Sequence, residues 1–461
     1  PFRYGPLTYY YDSLADSLLH GRMDVTPDAI YFEAFIRDGK YYGYFGLTPA
    51  LFRIPLSVFP GLWGEWSCLS MMTACVLSLW VSYRLIASLA ASLPADIPGS
   101  VVKTFQLLYL LAAGCGSSLI FLASRSFVYH EATIWGSALA MASGYALFQY
   151  ARQASGKLLA VAGTLAFLAF FARPTTGAGA TLAMLGISAL QAARWASSRV
   201  SPRLASLLVR LADAWAVPKV PHSGKHALIA LAFGVVTIAC SIGTNYLKFD
   251  TWKSVPLDLY YYYWIHPECL RITEGKQLHV ENVPTTSVAY FGRIGVALRG
   301  DFPWITPGRS AHIFDDARIA DNYWCSSVPA SMPALFLLAC CGAVVLFRGR
   351  SEDARRLRLP TVAMALGGTI VLCSVGICER YVHDFYPALV FAAAAGVDLL
   401  IRVRGRSNLR RSLLALLALL VVTSTLVEFA FSLEYQREFC WGIPSTKQAE
   451  YRVWQQEFRF R

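Results

Sequence analysis

The chain has 461 residues, of which 56% are hydrophobic and 15% are charged, and its mean hydropathy is +0.44. A soluble protein of this length does not need so much apolar sequence, so the composition excludes an ordinary soluble enzyme and indicates that a bilayer solvates much of the chain. The net charge of +12 does not indicate a nucleic-acid partner, because the basic residues stand in short clusters between apolar runs.

About ten apolar runs are long enough to cross a bilayer as helices, and they predict an all-helical integral membrane protein. The runs are 68–91, 104–123, 132–151, 158–172, 177–195, 227–247, 332–347, 360–378, 387–401 and 412–433. We expect one further span before Pro1, on the assumption that the N-terminus of the whole protein is cytoplasmic.

The connections between these runs alternate in charge. Four of them are rich in Arg and Lys, which mark the cytoplasmic side of a membrane protein. Placing these four in the cytoplasm puts every other connection outside without a conflict. The resulting divisions are an external first loop at 1–67, spans at 68–247 with a basic cytoplasmic loop at 196–225, a large external loop at 248–331, C-terminal spans at 332–433 and an external tail at 434–461.

The first loop is rich in Asp, Tyr, Arg and Gly. On a helix, Asp12, Asp16 and His20 share one face, which predicts a short amphipathic helix that holds two carboxylates and an imidazole above the membrane. A solvated helix face and a metal site made of these three residues are the alternatives. The aromatic, Gly-rich run at 39–46 supplies further candidates for substrate contact, namely Lys40, Tyr41 and Tyr42.

Three turns at the predicted external ends of spans carry ionisable side chains. They supply His130 and Glu131, then Arg173, and then Glu379, Arg380, His383 and Asp384. Ionisable residues at membrane depth are costly and usually face a polar cavity. These turns offer carboxylates and imidazoles for base chemistry, and guanidiniums that suit phosphate. The alternative is that they anchor span ends at the interface, but their convergence on one side favours a functional site.

Cysteine usage leaves one question open. The chain has 11 cysteines, most of them within the predicted spans, where cysteine acts as a small apolar residue. Cys269 and Cys325 share the large external loop, so an oxidising compartment would permit a disulfide between them. Cys440 in the external tail is a competing partner.

Several segments resemble the GT-C superfamily of membrane glycosyltransferases, which take sugars from polyprenyl-phosphate carriers. Tyr11–Gly21 (YDSLADSLLHG) resembles the helix that follows the catalytic aspartate in the aminoarabinose and mannosyl transferases. The segments GKYYGYFGLTPAL, VYHEA, ARPTTG and ERYVHDFYP resemble parts of bacterial members. The resemblance covers most of the chain in layout but only a small part of it in motif-like residues.

The chain departs from the family at the catalytic acid. The family's aspartate lies a few residues before the tyrosine that matches Tyr11, and this chain has Leu7 and Thr8 in that area. The identity of the base is therefore open. Our candidates, in order, are Asp12, Glu131 with His130 beside it, and Asp16.

The resemblance implies an inverting transfer on the extracytoplasmic face of a bacterial inner membrane. A carboxylate takes the proton from an acceptor hydroxyl on a lipid, glycan or protein, and the leaving lipid phosphate is stabilised by Arg173 or Arg380. No cofactor is required, and a divalent metal is possible but not predicted. A polymerase or ligase of lipid-linked glycans and a transporter or flippase remain the alternatives.

Overall fold

The computed structural model describes residues 7–56, 58–308, 310–349, 351–402, 407–439 and 443–459. Within these ranges the chain is mostly helical, with three two-stranded sheets. The helices are α1 (Tyr10–Leu19), α2 (Pro27–Ile30), α3 (Thr48–Arg53), α4 (Trp66–Ala90), α5 (Gly99–Gly114), α6 (Ser118–Ala123), α7 (Val128–Gln153), α8 (Gly156–Ala172), α9 (Pro174–Ser197), α10 (Pro202–Ala214), α11 (Ser223–Phe249), α12 (Tyr261–Ile265), α13 (Pro267–Thr273), α14 (Val283–Ser287), α15 (Val328–Ser331), α16 (Pro333–Arg348), α17 (Glu352–Thr369), α18 (Tyr386–Ile401), α19 (Ser407–Glu434) and α20 (Ser445–Glu457).

The sheets are small and lie in the connections. The strands are β1 (Phe35–Arg37), β2 (Lys40–Tyr42), β3 (Val296–Leu298), β4 (Ile305–Pro307), β5 (Asp321–Asn322) and β6 (Gly376–Ile377). The pairs β1–β2 and β3–β4 are antiparallel. The pair β5–β6 is parallel and sets Asp321 opposite Gly376, which joins the large 248–331 loop to the turn before α18.

Length and composition qualify six of the described helices as membrane spans, fewer than the ten that the sequence predicts. All ten predicted runs nevertheless overlap helices, although α17 ends at Thr369 and the end of the 360–378 run contains strand β6. Helices α8 and α16 are apolar but have only 17 and 16 residues, and the 104–123 run is interrupted between α5 and α6. The structure thus agrees with an all-helical, multi-pass membrane protein.

Helix α7 explains part of the difference in span number. It has 26 residues, and all but a few of those before its last turn are buried among other helices. A helix that is shielded from lipid by its neighbours can carry polar side chains that a lipid-facing span cannot. Helix α7 can therefore be long and central without being uniformly apolar.

Close packing holds the C-terminal helices together. A Cβ atom on Gly342 of α16 would overlap the carbonyl oxygen of Ala392 in α18, and one on Gly396 would overlap the carbonyl oxygen of Leu338. Small residues at such crossings let two helix backbones approach closely, which is how helices associate where no hydrophobic effect drives them together. This crossing fixes α18, and the turn just before α18 carries the polar residues described below.

Two contacts each join connections that the charge alternation places on the same side. In one group, Arg53 of the first loop forms an ion pair with Glu131 at the start of α7. In the other, Arg358 of α17 donates a hydrogen bond of 2.7 Å to the carbonyl oxygen of Ala214, in the basic 196–225 loop. Both contacts are compatible with the predicted grouping of the loops, which stays a prediction for the other connections.

The first loop is fixed to the helix bundle. The Lys248 ammonium at the end of α11 donates to the carbonyl oxygens of Gly43 at 2.9 Å and Phe45 at 3.1 Å. The Thr48 hydroxyl donates to the carbonyl oxygen of Leu168 in α8 at 2.7 Å. Because these bonds use backbone groups of the Gly-rich run, the loop is held in one position over α8 and α11.

Helix α1 forms where the sequence predicts a helix, but its environment differs. Tyr10, Tyr11 and Leu14 are buried, and so is Asp12, which is only 3% exposed. Asp12 is therefore enclosed by the protein and does not belong to a solvated helix face, while the position of α1 relative to the membrane stays a prediction. The reason is tertiary, because Arg53 from α3 supplies a counter-charge that allows the carboxylate to be buried.

The predicted disulfide is absent from the described residues. Cys269 and Cys325 are both buried free thiols. They belong to different hydrophobic clusters, Cys269 with Phe35 and Tyr263, and Cys325 in the main core. The two cysteines of this loop therefore pack in separate parts of the structure. The competing partner Cys440 lies outside the described residues.

Candidate functional site

The first two candidates for the catalytic base, Asp12 and Glu131, lie on either side of one guanidinium. Arg53 donates from Nη1 to Oδ2 of Asp12 at 2.8 Å and from Nη2 to Oε1 of Glu131 at 2.6 Å. None of the three side chains is more than 3% exposed. The fold therefore unites two distant carboxylates in one ion network.

Neighbouring groups complete this network. The Ser70 hydroxyl donates to Oε1 of Glu131 at 2.6 Å, and the backbone amide of Gly64 donates to Oδ2 of Asp12 at 2.9 Å. Burial raises the pKa of Asp12, while the Arg53 guanidinium and the Gly64 amide lower it. Each carboxylate is thus enclosed and already bonded to the protein, as in a buried ion network that holds a loop to a helix.

Asp16 and His20 lie at the surface, apart from this network. Asp16 is half-buried and His20 is exposed, with Nδ1 of His20 2.8 Å from the backbone carbonyl oxygen of Asp16. Within the part of the chain that the structure describes, no group of three or more His, Cys, Asp and Glu side chains is arranged to hold a metal ion. Asp12 faces Arg53 instead of its two helical neighbours.

The two predicted histidines lie in the core of the bundle. In His383, Nδ1 is 2.9 Å from the Ser118 hydroxyl and Nε2 is 2.9 Å from the Ser137 hydroxyl, so both ring nitrogens have partners. In His130, Nδ1 is 3.0 Å from the carbonyl oxygen of Leu122, and its ring stacks on Tyr435. Both imidazoles are at most 1% exposed, which is the environment of a structural histidine.

Arg173 and Asp384 form a closed pair. Arg173 donates from Nε and Nη2 to the two carboxylate oxygens of Asp384, each at 2.6 Å. The Thr175 hydroxyl adds a third bond to the same carboxylate at 2.8 Å. The fork geometry matches guanidinium to carboxylate on two atoms, so the positive charge of Arg173 is neutralised within the protein.

Arg380 is the contrasting case. Its guanidinium lies 4.3 Å from the ring centre of Tyr129 and 5.3 Å from that of Tyr381. Among the described residues it forms no ion pair and no hydrogen bond, although it is at most partly exposed. A partly desolvated guanidinium over aromatic faces keeps its charge and its five donors available for an anion.

Glu33 is a carboxylate beside this guanidinium that sequence reasoning missed. Its Oε2 accepts a hydrogen bond of 2.7 Å from the Tyr260 hydroxyl, and the side chain is 6% exposed. Burial raises the pKa of Glu33, while hydrogen bonds from Tyr129 and Tyr260 and the nearby charge of Arg380 lower it. Glu33 therefore links the first loop to the tyrosine side chains around Arg380.

Asp321 is the second missed carboxylate. It is half-buried at strand β5, and among the described residues its side chain forms no ion pair or hydrogen bond. Burial raises the pKa of Asp321, against the lowering effect of Arg380 and His266. We call Glu33, Tyr129, Tyr260, Asp321, Arg380 and Tyr381 together the Arg380 site.

Residues adjacent in sequence to Glu33 and Tyr260 line an open groove of about 580 Å³. Its lining consists of Pro27, Asp28, Tyr31, Phe32, Ile36, Tyr41 and Tyr261. A second groove of about 310 Å³ includes Asp16, Lys40 and Tyr41. Lys40 and Tyr41 are therefore at the surface, whereas Tyr42 packs in a buried aromatic cluster.

The missed residues carried little signal in the sequence. Glu33 stands between aromatic and small residues in a segment that is otherwise apolar, which is the one feature that would have singled it out. Asp321 lies in the large 248–331 loop, where no periodicity places it. Only the pairing of β5 with β6 brings it to the turn that contains Arg380.

Comparison with known proteins adds no assignment. No protein-family model matches the chain, and no curated protein sequence matches it. The functional argument therefore depends on the chemistry of the Arg380 site.

Proposed function

We propose that this protein is a membrane glycosyltransferase that takes a sugar from a polyprenyl-phosphate donor, and that Arg380 binds the donor's phosphate. The observation that supports this is a guanidinium at the end of a predicted span that has no carboxylate partner among the described residues. A partly buried charge of this kind costs free energy, and such charges in membrane proteins usually have a function. Phosphate is one of the anions that the planar fork of a guanidinium matches on two atoms.

The ion pair of Arg173, the other candidate for phosphate binding, supports the choice of Arg380. Arg173 already donates two hydrogen bonds to Asp384, so its positive charge is compensated without a ligand. Arg173 also lies 5.4 Å from the Tyr381 ring, on which Arg380 also lies. In the proposal, Arg173 and Asp384 position the Tyr381 ring, and Arg380 contacts the phosphate.

The surroundings of Arg380 supply what a sugar donor requires. Tyr129, Tyr260 and Tyr381 offer aromatic faces, and the carboxylates of Glu33 and Asp321 offer hydrogen-bond acceptors for hydroxyls. In the proposal the site faces the extracytoplasmic side of a bacterial inner membrane, ten helices span the bilayer, and the acceptor is a hydroxyl of a lipid, glycan or protein.

Binding of a lipid phosphate by the purified protein tests this proposal. The probe is polyprenyl monophosphate in detergent micelles, titrated against the wild type and Arg380→Gln. Loss of a charge-assisted contact costs about 1.5–3 kcal/mol, so we expect the Kd to rise roughly 10- to 100-fold. Arg271→Gln is the matched control, because Arg271 is an exposed arginine in α13 of the large 248–331 loop.

Two results would contradict the proposal. One is failure of the wild type to bind polyprenyl monophosphate above its affinity for an uncharged polyprenol. The other is equal weakening by Arg380→Gln and Arg271→Gln, which would indicate a general charge effect. Tighter binding of polyprenyl diphosphate than monophosphate would instead favour a ligase or polymerase of lipid-linked glycans.

One observation favours a transporter or flippase as the second candidate. Glu428 lies within α19, is fully buried, and neither of its carboxylate oxygens has a hydrogen-bond partner among the described residues. Buried carboxylates within spans are typical of proton-coupled transport. Movement of a labelled polyprenyl phosphate across proteoliposomes, abolished by Glu428→Gln and without sugar transfer, would favour this function.

A further inference from the structure

The position of Asp321 is determined by strand pairing. Asp321 of β5 lies opposite Gly376 of β6 in a parallel pair. Its Cβ is 3.6 Å from the point that a Cβ on Gly376 would occupy, and a ring carbon of Tyr381 is 3.9 Å from the same point. Asp321 and Tyr381 therefore flank one residue, and Arg380 lies 5.3 Å from the centre of the Tyr381 ring.

Four buried carboxylates near the polar turns are already bonded to the protein. Asp12 and Glu131 bond to Arg53, and Asp384 bonds to Arg173. Glu379 accepts from both the amide and the hydroxyl of Ser326, at 2.6 and 2.8 Å, and is 2% exposed. Each of these groups is held by donors of the protein and is closed to an acceptor hydroxyl.

Glu33 and Asp321 remain as carboxylates of the Arg380 site, and they differ in one respect. Glu33 is 6% exposed and accepts a hydrogen bond from Tyr260. Asp321 is half-buried and has no bonded partner in the described part of the chain, so both of its oxygens can accept a proton. A general base must come within hydrogen-bond reach of the proton that it abstracts, which favours the group with free oxygens.

We propose that Asp321 is the catalytic base of the transfer, an assignment that rests on the proposed function of the Arg380 site. The Asp321 carboxylate takes the proton of the acceptor hydroxyl while that oxygen bonds to the anomeric carbon of the sugar. The bond from the anomeric carbon to the phosphate oxygen breaks, and its electron pair leaves with the lipid phosphate. Arg380 stabilises the negative charge on this leaving group, and the protonated Asp321 then releases its proton to water.

The test compares three carboxylate-to-amide variants in the intact, detergent-purified protein. They are Asp321→Asn, Glu33→Gln and, as the matched control, Asp315→Asn, since Asp315 is exposed in the same large loop. The probes are polyprenyl monophosphate for binding, and a panel of synthetic polyprenyl-phosphate hexoses and pentoses for transfer. A lipid and glycan extract of native membranes supplies the acceptor. Release of free polyprenyl phosphate in a single turnover measures transfer.

We expect Asp321→Asn to lower the single-turnover rate by about 10²- to 10⁴-fold, the usual contribution of a general base. Its affinity for polyprenyl monophosphate should stay equal to that of the wild type or increase, because a negative charge near Arg380 is removed. Asp315→Asn should match the wild type in both measurements. A merely structural role for Asp321 would lower binding and transfer together.

Different failures point to different errors. Near-parental transfer by Asp321→Asn overturns this assignment while leaving the proposed function intact, as does a loss confined to Glu33→Gln, which would make Glu33 the base. If Asp321→Asn loses binding and transfer in parallel, the assignment is also wrong. If the wild type does not bind polyprenyl monophosphate, or transfers from no donor, the proposed function fails and the assignment fails with it.

Discussion

Asp384 holds Arg173 through two parallel hydrogen bonds of 2.6 Å, across 211 residues of sequence. The consequence concerns a third residue, Arg380, which lies in the same turn as Asp384 but pairs with no carboxylate in the part of the chain that the structure describes. The two arginines that the sequence offers as equal candidates for phosphate are therefore chemically distinct in the fold. One is part of the scaffold, and the other keeps its donors free.

The Arg173–Asp384 pair predicts a stability effect that is separate from phosphate binding. Removing one partner of a buried pair leaves an uncompensated charge and costs about 3–5 kcal/mol. We therefore expect Arg173→Gln and Asp384→Asn each to lower the free energy of unfolding by about that amount, and the double variant to lose less than their sum. Thermal unfolding in detergent measures it, and strict additivity would contradict the pairing.

The Arg53 network predicts that Asp12 and Glu131 stabilise the folded protein and do not act in catalysis. Arg53→Met would leave two carboxylates buried without a counter-charge, so we expect a loss of about 3–5 kcal/mol in the free energy of unfolding. Arg22→Met is the control, because the Arg22–Asp24 pair is half exposed and should contribute less than about 1 kcal/mol. A stable, correctly folded Asp12→Asn protein that has lost all transfer would show instead that Asp12 is the base.

The environment of Asp321 predicts a pH dependence. Its pKa is raised by burial, and Arg380 and His266 only partly offset this. Since a base acts in its ionised form, transfer should be lost as the pH falls through this raised pKa, which lies above the usual value of about 4 for aspartate. The acid limb of kcat/KM should disappear in Asp321→Asn. An unchanged acid limb in that variant would assign it to another group, such as Glu33.

The grouping of the loops predicts which residues face each side of the membrane. Cysteines introduced at Asp315 and Arg203, both exposed, should differ in labelling by an impermeant maleimide in intact cells. We expect Asp315→Cys to react in intact cells and Arg203→Cys only after permeabilisation, each above the background of the parent. The opposite pattern would reverse the proposed orientation, and labelling of both in intact cells would contradict the grouping.

Much of the fold was predictable because apolar runs are local features of the sequence. Each predicted run is at least partly helical, since the backbone must satisfy its hydrogen bonds internally in lipid. The number of spans was less predictable. Helix α7 is shielded by its neighbours, and α8 and α16 are short, and neither property can be read from hydropathy alone.

The candidate site was predictable only as a set of segments. The polar turns that contain Glu131, Arg173 and Arg380 do gather in one group of connections, as the charge pattern indicates. Their roles were not predictable, because an ion pair such as Arg53–Glu131 depends on residues that are far apart in the chain. The same holds for the two histidines, whose partners Ser118 and Leu122 lie on another helix or turn.

By itself, the sequence determined that this is a helical, multi-pass membrane protein, because hydropathy acts on each segment separately, and the division of its loops stays a prediction from charge. The tertiary structure alone decided which charges are compensated. It assigned Asp384 to Arg173, and both Asp12 and Glu131 to Arg53. Within the described ranges, it left the side chains of Arg380 and Asp321 without bonded partners. In this structure, the side chains proposed to act on a substrate are those that the surrounding protein does not already bond. Which groups surround a side chain depends on the packing of the whole chain.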